Sequence, residues 1–436
     1  MAADANFSYP TEYKFKSIDI IVEGEPRSIR PLFFGMDIYE NIYMGGITGS
    51  VTIVDTDTGG FIEENDIEFI EEFSFEIESV TGEVLKFDGF LNGIRNESIK
   101  QQKRVIVIDF NSKATRVNEG NFVTKRFKGE TPHDIAKEMA ERLETEIDES
   151  QSQDQGQPLH FLGSRKKPLD IMKYVLKHGV PTGTSESSDQ EDTKEQTASG
   201  TSGYLFWETL DGIRFSSIDK LLEGSQYQEH EEYKYQTSQK SLPMEQACRG
   251  IIDYNFPQLG DFQSKLRHGT FKTKHISFDW NSGEYREYIY EAKEGTGTKN
   301  GATATKLQKE ALPKITRYIY KLFDNERMEV KCEKAKKDTY DQSRNSQQQG
   351  ISRQNSFSDQ HGRVTLPPQF EVRAGDTINL LINKTSSSDA LGETNKKHSG
   401  KYLVKQISHH IHSDGKAYSQ ISTIRSVTQQ DDQTSE

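Results

Sequence analysis

Cysteine is nearly missing from this chain: Cys248 and Cys332 stand alone among 436 residues. Two isolated thiols with no metal-type spacing supply neither a disulfide framework nor a zinc cage. They fit assembly in a reducing cytoplasm, with a buried structural thiol expected at both positions. Long apolar runs are missing as well. No stretch approaches the roughly 20 residues of a membrane span, and Met1–Lys16 lacks the apolar stretch of a secretory leader, so a soluble, unprocessed protein is expected. Catalytic signatures are equally scarce. There is no Gly-x-Ser-x-Gly elbow, Cys/His signature, phosphate loop or dinucleotide fingerprint, and Gly295-Thr-Gly297-Thr-Lys299 lacks the remaining loop spacing. The expectation is therefore no catalytic residue, no cofactor and no enzyme.

Hydrophobic residues make up only 32% of the chain and mean hydropathy is -0.80, so much of it must be solvated, flexible or ordered by neighbours. The net charge of -13 is unevenly placed, because residues 1–110 carry 9 Lys+Arg against 21 Asp+Glu. Such a surface repels nucleic acid and argues against a specific DNA-binding module, although it suits a conduit through which DNA passes. A merely solubilising acidic face fits the same numbers.

Residues 1–112 read as β throughout. Ile47, Gly49, Val51 and Ile53 alternate with polar residues, and Phe69, Phe73, Phe75 and Ile77 occupy one parity. Further strands are expected at Phe15–Val22, Val84–Ile94 and Arg104–Phe110, and about six strands at this spacing indicate a barrel or sandwich. Residues 113–200 form an α+β unit. Phe127-Lys-Gly129 with Pro132-His-Asp134-Ile135, and Phe161-Leu-Gly163 with Pro168-Leu-Asp170-Ile171, are two similar helix starts. Pro is favoured at the first helical position and an acid in the first turn complements the dipole. The first helix is expected to run to about Glu149, with Ile135, Met139, Leu143 and Ile147 on one stripe; the second carries Leu169, Met172, Val175 and Leu176 on one face. The polar tract 182–202 reads as a flexible loop.

Gly203 to Ser217 holds Asp211-Gly212 between two aromatic runs, a strong hairpin signal. From Arg363 the β pattern returns at Val364–Leu366, Phe370–Arg373, Thr377–Ile382, Ser399–Ile411 and Tyr418–Val427. These strands close a barrel comfortably only with the hairpin, so residues 203–223 plus 361–428 are expected to form a second, discontinuous barrel. Residues 224–360 would then be an inserted α+β unit with strands at Ile251–Phe256 and Phe271–Trp280, a helical rhythm at Leu307–Leu322 and a loop at 338–361. Residues 429–436 read as a flexible tail.

Asp55-Thr-Asp57-Thr-Gly59-Gly60 with Asp66 partly mimics a calcium loop, but Gly59 stands where an oxygen ligand belongs, and a β-turn is preferred. His409, His410 and His412 lack a carboxylate or cysteine to complete a metal site, so no metal is expected. The acidic run Glu63, Glu64, Asp66, Glu68, Glu71 and Glu72 could pair carboxylates for glycoside cleavage, which keeps a peptidoglycan hydrolase as an alternative, beside a carbohydrate-binding module. Aromatic strand residues are most often core. Phe206, Trp207 and Phe215 are read so first, and as candidates for a subunit boundary second.

Taken in order, Tyr39-Glu40-Asn41-Ile42-Tyr43 leading to Gly49–Asp55, the two Phe-x-Gly cassettes, the Trp207 hairpin, and Gly375-Asp376 followed by Ser399–Val404 and Ile407–Ile411 resemble the central baseplate hub proteins of contractile-tailed, T-even-like bacteriophages. A more distant likeness is to type VI secretion spike proteins. The pattern departs at Phe69-Ile70-Glu71-Glu72, where many relatives carry Gly-x-Glu. The resemblance implies a mainly β protein with some α: two tail-tube-like β-barrel domains plus α+β domains. It implies a homotrimer whose ring of six barrels joins the sixfold tail tube to the trimeric central spike. Implied partners are the spike, tail tube or tube-initiator proteins, baseplate wedge proteins and, as a further candidate, the tape measure protein. Implied location is the virion tail baseplate, assembled in the host cytoplasm. Tyr402, within the last motif, joins Phe206, Trp207 and Phe215 as an interface candidate.

Overall fold

Alternation in the first 112 residues becomes seven antiparallel strands in the computed structural model, which describes residues 7–56, 60–100, 103–148, 156, 158–179, 203–223, 227–235, 242–259, 262–269, 272–279, 283, 285–291, 315–323, 360–383, 394–395 and 398–425. They are β1 (Tyr13–Val22), β2 (Glu25–Ser28), β3 (Phe33–Asn41), β4 (Thr48–Thr56), β5 (Glu72–Ser79), β6 (Val84–Lys100) and β7 (Lys103–Ser112), with a one-turn helix α1 (Phe61–Glu64) before β5. Their order is β2-β1-β5-β6-β7-β4-β3. One parity of β1, β4, β5 and β7 is buried: Ile18 and Ile20, Val51 and Ile53, Phe73, Phe75 and Ile77, Ile106, Ile108 and Phe110. Phe87 stacks on Phe75 and meets Phe110 at 5.0 Å between ring centroids. Phe69 departs from its expected parity. It lies before β5 with φ +65°, half-buried, where the chain turns into the strand.

Both cassettes launch helices. After α2 (Lys113–Gly120) come β8 (Val123–Glu130) and α3 (Pro132–Arg142), then β9 (Leu159–Lys166) and α4 (Pro168–His178). Thr131 caps α3, accepting the Asp134 N–H while Asp134 accepts the Thr131 N–H, and each helix has Pro at its first position. The repeat is structural as well as sequential. β8 and β9 pair antiparallel with Phe127 opposite Phe161, their rings stacked at 4.5 Å, and α3 packs on α4. Helix α3 ends at Arg142, short of Glu149, because Glu144 turns at φ +56° and residues 146–148 are drawn into backbone pairing with Ile213.

The Asp211-Gly212 hairpin forms as β10 (Tyr204–Thr209) and β11 (Gly212–Ser217), followed by α5 (Ile218–Glu223). It does not join the C-terminal strands, contrary to expectation, and is a two-stranded sheet of its own. Both of its faces are buried and mainly apolar, so both need cover. Tyr204, Phe206, Ile213 and Phe215 pack on α3 and α4, whereas Leu205 and Trp207 face a separate cluster with Ile218, Leu221, Tyr227, Ala374 and Leu403. A ribbon buried on both sides serves as a wedge between layers.

The C-terminal strands are completed instead by segments that the sequence reading set apart in 224–360. β12 (Glu229–Tyr235), α6 (Met244–Cys248), β13 (Gly250–Ile251) and β14 (Asp253–Leu259) precede α7 (Phe262–His268) and a three-stranded sheet of β15 (Lys272–Asp279), β16 (Tyr285–Glu291) and β17 (Arg317–Phe323). The helical rhythm expected across Leu307–Leu322 is strand from Arg317, where Tyr318 and Tyr320 alternate with Ile319; its earlier part lies outside the described residues. Then follow β18 (Gln360–Leu366), β19 (Thr377–Leu381), β20 (Gly400–His412) and β21 (Ala417–Arg425). Phe370–Arg373 is a turn and not a strand. Pairing runs β12-β19-β20-β21-β18-β14, and β14 continues back through Ile252 into β13, which pairs with β12.

One long strand ties the two units. β20 pairs β19 through 400–403, β21 through 403–411 and β3 through 406–412. The β20–β21 turn then reaches β1: Glu12 bridges Lys416, and the Ala417 N–H donates to the Thr11 carbonyl at 2.8 Å. The described strands of the two units therefore form one hydrogen-bonded sheet.

Candidate functional site

Charged residues placed inside apolar strands build the most elaborate polar structure described here, at the junction of the two units and the hairpin. Glu40 ends the buried parity of β3, Glu208 follows Trp207 in β10, and Arg214 lies opposite Trp207 in β11. Facing them is the turn Arg373-Ala-Gly-Asp376. Gly375 is required twice: its φ is +95°, and a Cβ would lie 2.5 Å from the Trp207 ring. The close approach lets Trp207 Nε1 donate to the Ala374 carbonyl at 2.9 Å.

Asp376 is fully buried and satisfied from three directions. Its Oδ1 accepts from Arg214 at 2.7 Å, and its Oδ2 accepts the Arg373 N–H at 2.9 Å and lies 2.8 Å from His230 Nε2. Arg214 also donates to the Ala374 carbonyl at 3.1 Å and lies over the Tyr227 ring. The Arg373 guanidinium donates to Asp211 from Nη2 at 3.0 Å, forms an ion pair with it at 2.8 Å through Nε, and stands 4.0 Å from Glu40. Glu40 accepts the N–H groups of Leu210 and Ala374, both at 3.2 Å. Glu208 accepts the Ile47 N–H at 3.1 Å and the Ser112 hydroxyl. Three parts of the chain are thus cross-linked through charged side chains, most of them buried.

Burial raises the pKa of Glu40 against the opposing pull of Arg373 and two backbone N–H groups. Burial, reinforced by the neighbouring Glu40 charge, pushes Glu208 up to about 7. In β20, burial and the charges of Arg373 and His410 push His409 down to about 3. The consequences for stability have opposite signs. Glu208 binds more protons folded than unfolded between about pH 4.5 and 7, so its stabilisation is full below 4.5 and is lost as pH rises through 7. His409 binds fewer folded, so its contribution is full above pH 6.5 and is lost as pH falls toward 3. Between 4.5 and 6.5 the two slopes oppose, giving a plateau. Glu208→Gln removes the falling arm: relative to wild type it gains about 2–3 kcal/mol at pH 8 and little at pH 4.5. Chemical denaturation from pH 4 to 8 checks this, and an unchanged difference across that range would sink it.

The four interface candidates are all internal. Phe206, Trp207, Phe215 and Tyr402 are 4%, 0%, 7% and 1% exposed, so each faces core and offers no surface to a neighbour. The Tyr402 hydroxyl donates to the His398 carbonyl, and Arg425 covers its ring. Glu40, Trp207, Asp211 and Asp376 stood within sequence motifs, whereas Glu208, Arg214 and His230 were not singled out, although one signal existed: Glu208 and Arg214 interrupt otherwise aromatic strands, and charges are rarely buried unpaired.

Several of the remaining candidates have local partners. Asp55 is buried and accepts the Phe61 N–H, acting on the α1 turn, while Asp57 lies outside the described residues. Glu63 pairs with Arg104, and Glu71 accepts the N–H groups of Glu68 and Ile70. His409 lies 2.9 Å from the Ser419 hydroxyl through Nδ1 and His410 pairs with Asp37 at 2.6 Å. Among the described residues no group of three or more His, Cys, Asp or Glu could hold a metal ion, and no helix is long and apolar enough to cross a membrane. Cys248 is buried, and burial pushes its thiol up to about 11; Cys332 lies outside the described residues.

No protein family pattern and no curated protein sequence matches the chain. Solved structures do. The 43 kDa tail protein of prophage MuSo2 from Shewanella oneidensis matches 94% of this chain and 98% of its own at TM-score 0.52 and 9% identity. A tail protein from Neisseria meningitidis matches 95% and 97% at TM-score 0.54 and 10% identity. A component of the E. coli type VI secretion system, described as structurally similar to T4 bacteriophage tail proteins, covers 95% of this chain and 76% of its own at TM-score 0.40 and 9% identity, a score that carries no argument. The fold is one also found in two tail proteins. This chain shares the architecture of the Shewanella and Neisseria proteins over nearly its whole length.

Proposed function

We propose that the protein is a structural component of a bacteriophage tail: the central hub of a contractile-tail baseplate, built as a homotrimer that joins the sixfold tail tube to the trimeric spike. The observation that supports this best is the likeness to two tail proteins over almost the full length of all three chains. The physical logic lies in the two strand units. In this reading residues 1–112 make one tube-like barrel, and 229–259 with 360–425 make the other. Three chains then present six similar units, which is how a threefold object can meet a sixfold one. β20 runs through both units, so load applied to one passes along backbone hydrogen bonds to the other. The work is mechanical, carried by large permanent contacts with spike, tube or tube initiator, wedge and tape measure proteins, and it needs no catalytic group. Its place is the virion baseplate, after assembly in the host cytoplasm.

Light scattering on the full chain, alone and mixed with the spike protein of the same genome, tests the reading. A mass near three times 49.7 kDa, or a complex with equal numbers of both chains, supports it. A monomer under both conditions overturns it.

A further inference from the structure

Two exposed surfaces of opposite charge remain once the junction has used its own. The first is the outer face of β8 and β9. Their inner face buries Val123 and Phe127 with the residues of α3 and α4. Outward lie Arg126 and Lys128, with Leu162 opposite Arg126; Arg165 and Lys166 are exposed at the end of β9, where Lys166 lies opposite Val123. All five are exposed. Leu162 is 66% exposed and nearby Phe122 is 56% exposed. None of the four cations has an acidic partner among the described residues, in a chain whose net charge is -13. The inner cation of the same ribbon, Lys125, is by contrast held by Glu130 and Glu138.

The second surface is the turn from α1 into β5. Glu64, Asp66, Glu68 and Glu72 are exposed around Ile70, itself 52% exposed. This turn is held rigidly. Asp66 and Phe69 have φ of +48° and +65°, a conformation that non-glycine residues keep only where the surroundings enforce it. Here Glu71 accepts the Ile70 N–H at 2.9 Å and Arg116 donates to the Ile70 carbonyl at 2.6 Å. An apolar tip ringed by carboxylates is thereby presented in a fixed shape.

We propose that the acidic 63–72 turn of one copy seats on the basic β8–β9 face of the next, Ile70 against Leu162 and Phe122, with Glu64, Asp66, Glu68 and Glu72 against Arg126, Lys128, Arg165 and Lys166. Each surface has an apolar centre and a charged rim of opposite sign, the arrangement that steers association and sets register. Because the two surfaces differ, the contact is heterologous, and such contacts close into rings when the rotation allows. The inference rests on the trimer reading and names the surfaces that would form it.

The test uses the full chain and charge reversal in both surfaces. R126E/K128E and E68K/E72K should each raise the concentration needed for assembly by about tenfold or more, with thermal melts near wild type because the side chains are exposed. Combining all four substitutions restores opposite signs and should recover assembly. Raising salt should weaken the wild-type ring, since exposed charges are screened. If wild type forms a trimer and both reversed pairs do so at the same concentration, the surfaces proposed are wrong while the trimer reading stands. Failure of the fourfold variant to recover assembly overturns the pairing in the same way. If R126E/K128E abolishes heparin binding but leaves assembly intact, the basic face serves an anionic polymer instead. A wild type that stays monomeric with its spike removes the trimer reading and this contact with it.

Discussion

Asp376→Ala should cost about 3–5 kcal/mol of stability, because it leaves a buried guanidinium and a backbone N–H without their acceptor. The carboxylate is fully buried and receives Arg214 at 2.7 Å and the Arg373 N–H at 2.9 Å, with His230 at 2.8 Å. Asp376→Asn keeps an acceptor while losing the charge, so it should fall between wild type and Ala. The interaction can be isolated by a cycle. If Arg214 and Asp376 act as a unit, the double Ala variant should cost clearly less than the two singles together. Urea denaturation of all four proteins reads the result. Additive losses would mean that the turn and the hairpin are held by packing alone and that the ion pair contributes nothing specific. The consequence follows from position: the hairpin loses its polar tie to the C-terminal unit, and the assembly proposed above should form less well.

Trp207→Ala should be comparably severe, about 3–5 kcal/mol, since it empties the largest fully buried side chain among the described residues and opens a cavity between the hairpin and the C-terminal unit. Its indole also donates to the Ala374 carbonyl at 2.9 Å. Trp207→Phe separates the two contributions. It keeps much of the ring volume and loses the N–H, so it should cost about 1–3 kcal/mol through the unsatisfied carbonyl and the residual void. Arg214 still reaches that carbonyl at 3.1 Å, which softens the loss. Thermal and urea unfolding check the order wild type, Phe, Ala. A Phe variant as damaged as Ala would show that the hydrogen bond, and not the volume, holds the turn in place.

Much of the local structure was legible because its causes are local. Pro132 and Pro168 start helices for reasons contained in one turn of chain, and the alternation around Phe73, Phe75 and Ile77 buries one parity wherever the strand is placed. Misreadings occurred where neighbours overrode pattern. Phe370–Arg373 looks like a strand, yet its backbone is turned so that Arg373 and Asp376 can meet Asp211 and Arg214. The stretch from Arg317 looked helical from its apolar spacing, yet pairing with β15 makes it a strand.

What the sequence by itself determined is the kind of most elements and where most of those begin, along with a mainly β chain whose order of motifs resembles a tail hub. Periodicity, capping and turn chemistry act over a few residues, so they can be read in line. Which strands share an edge was decided only by the tertiary structure. The hairpin stands apart because both its faces are buried between layers, and β12 to β14 take the place expected for it because their edges fit β18 and β19. The junction was decided there too. Asp376 and Arg214 lie 162 residues apart, and nothing local in either segment specifies the other. Their pairing exists because burial makes an unpartnered charge too costly, and only the folded chain brings a partner within reach.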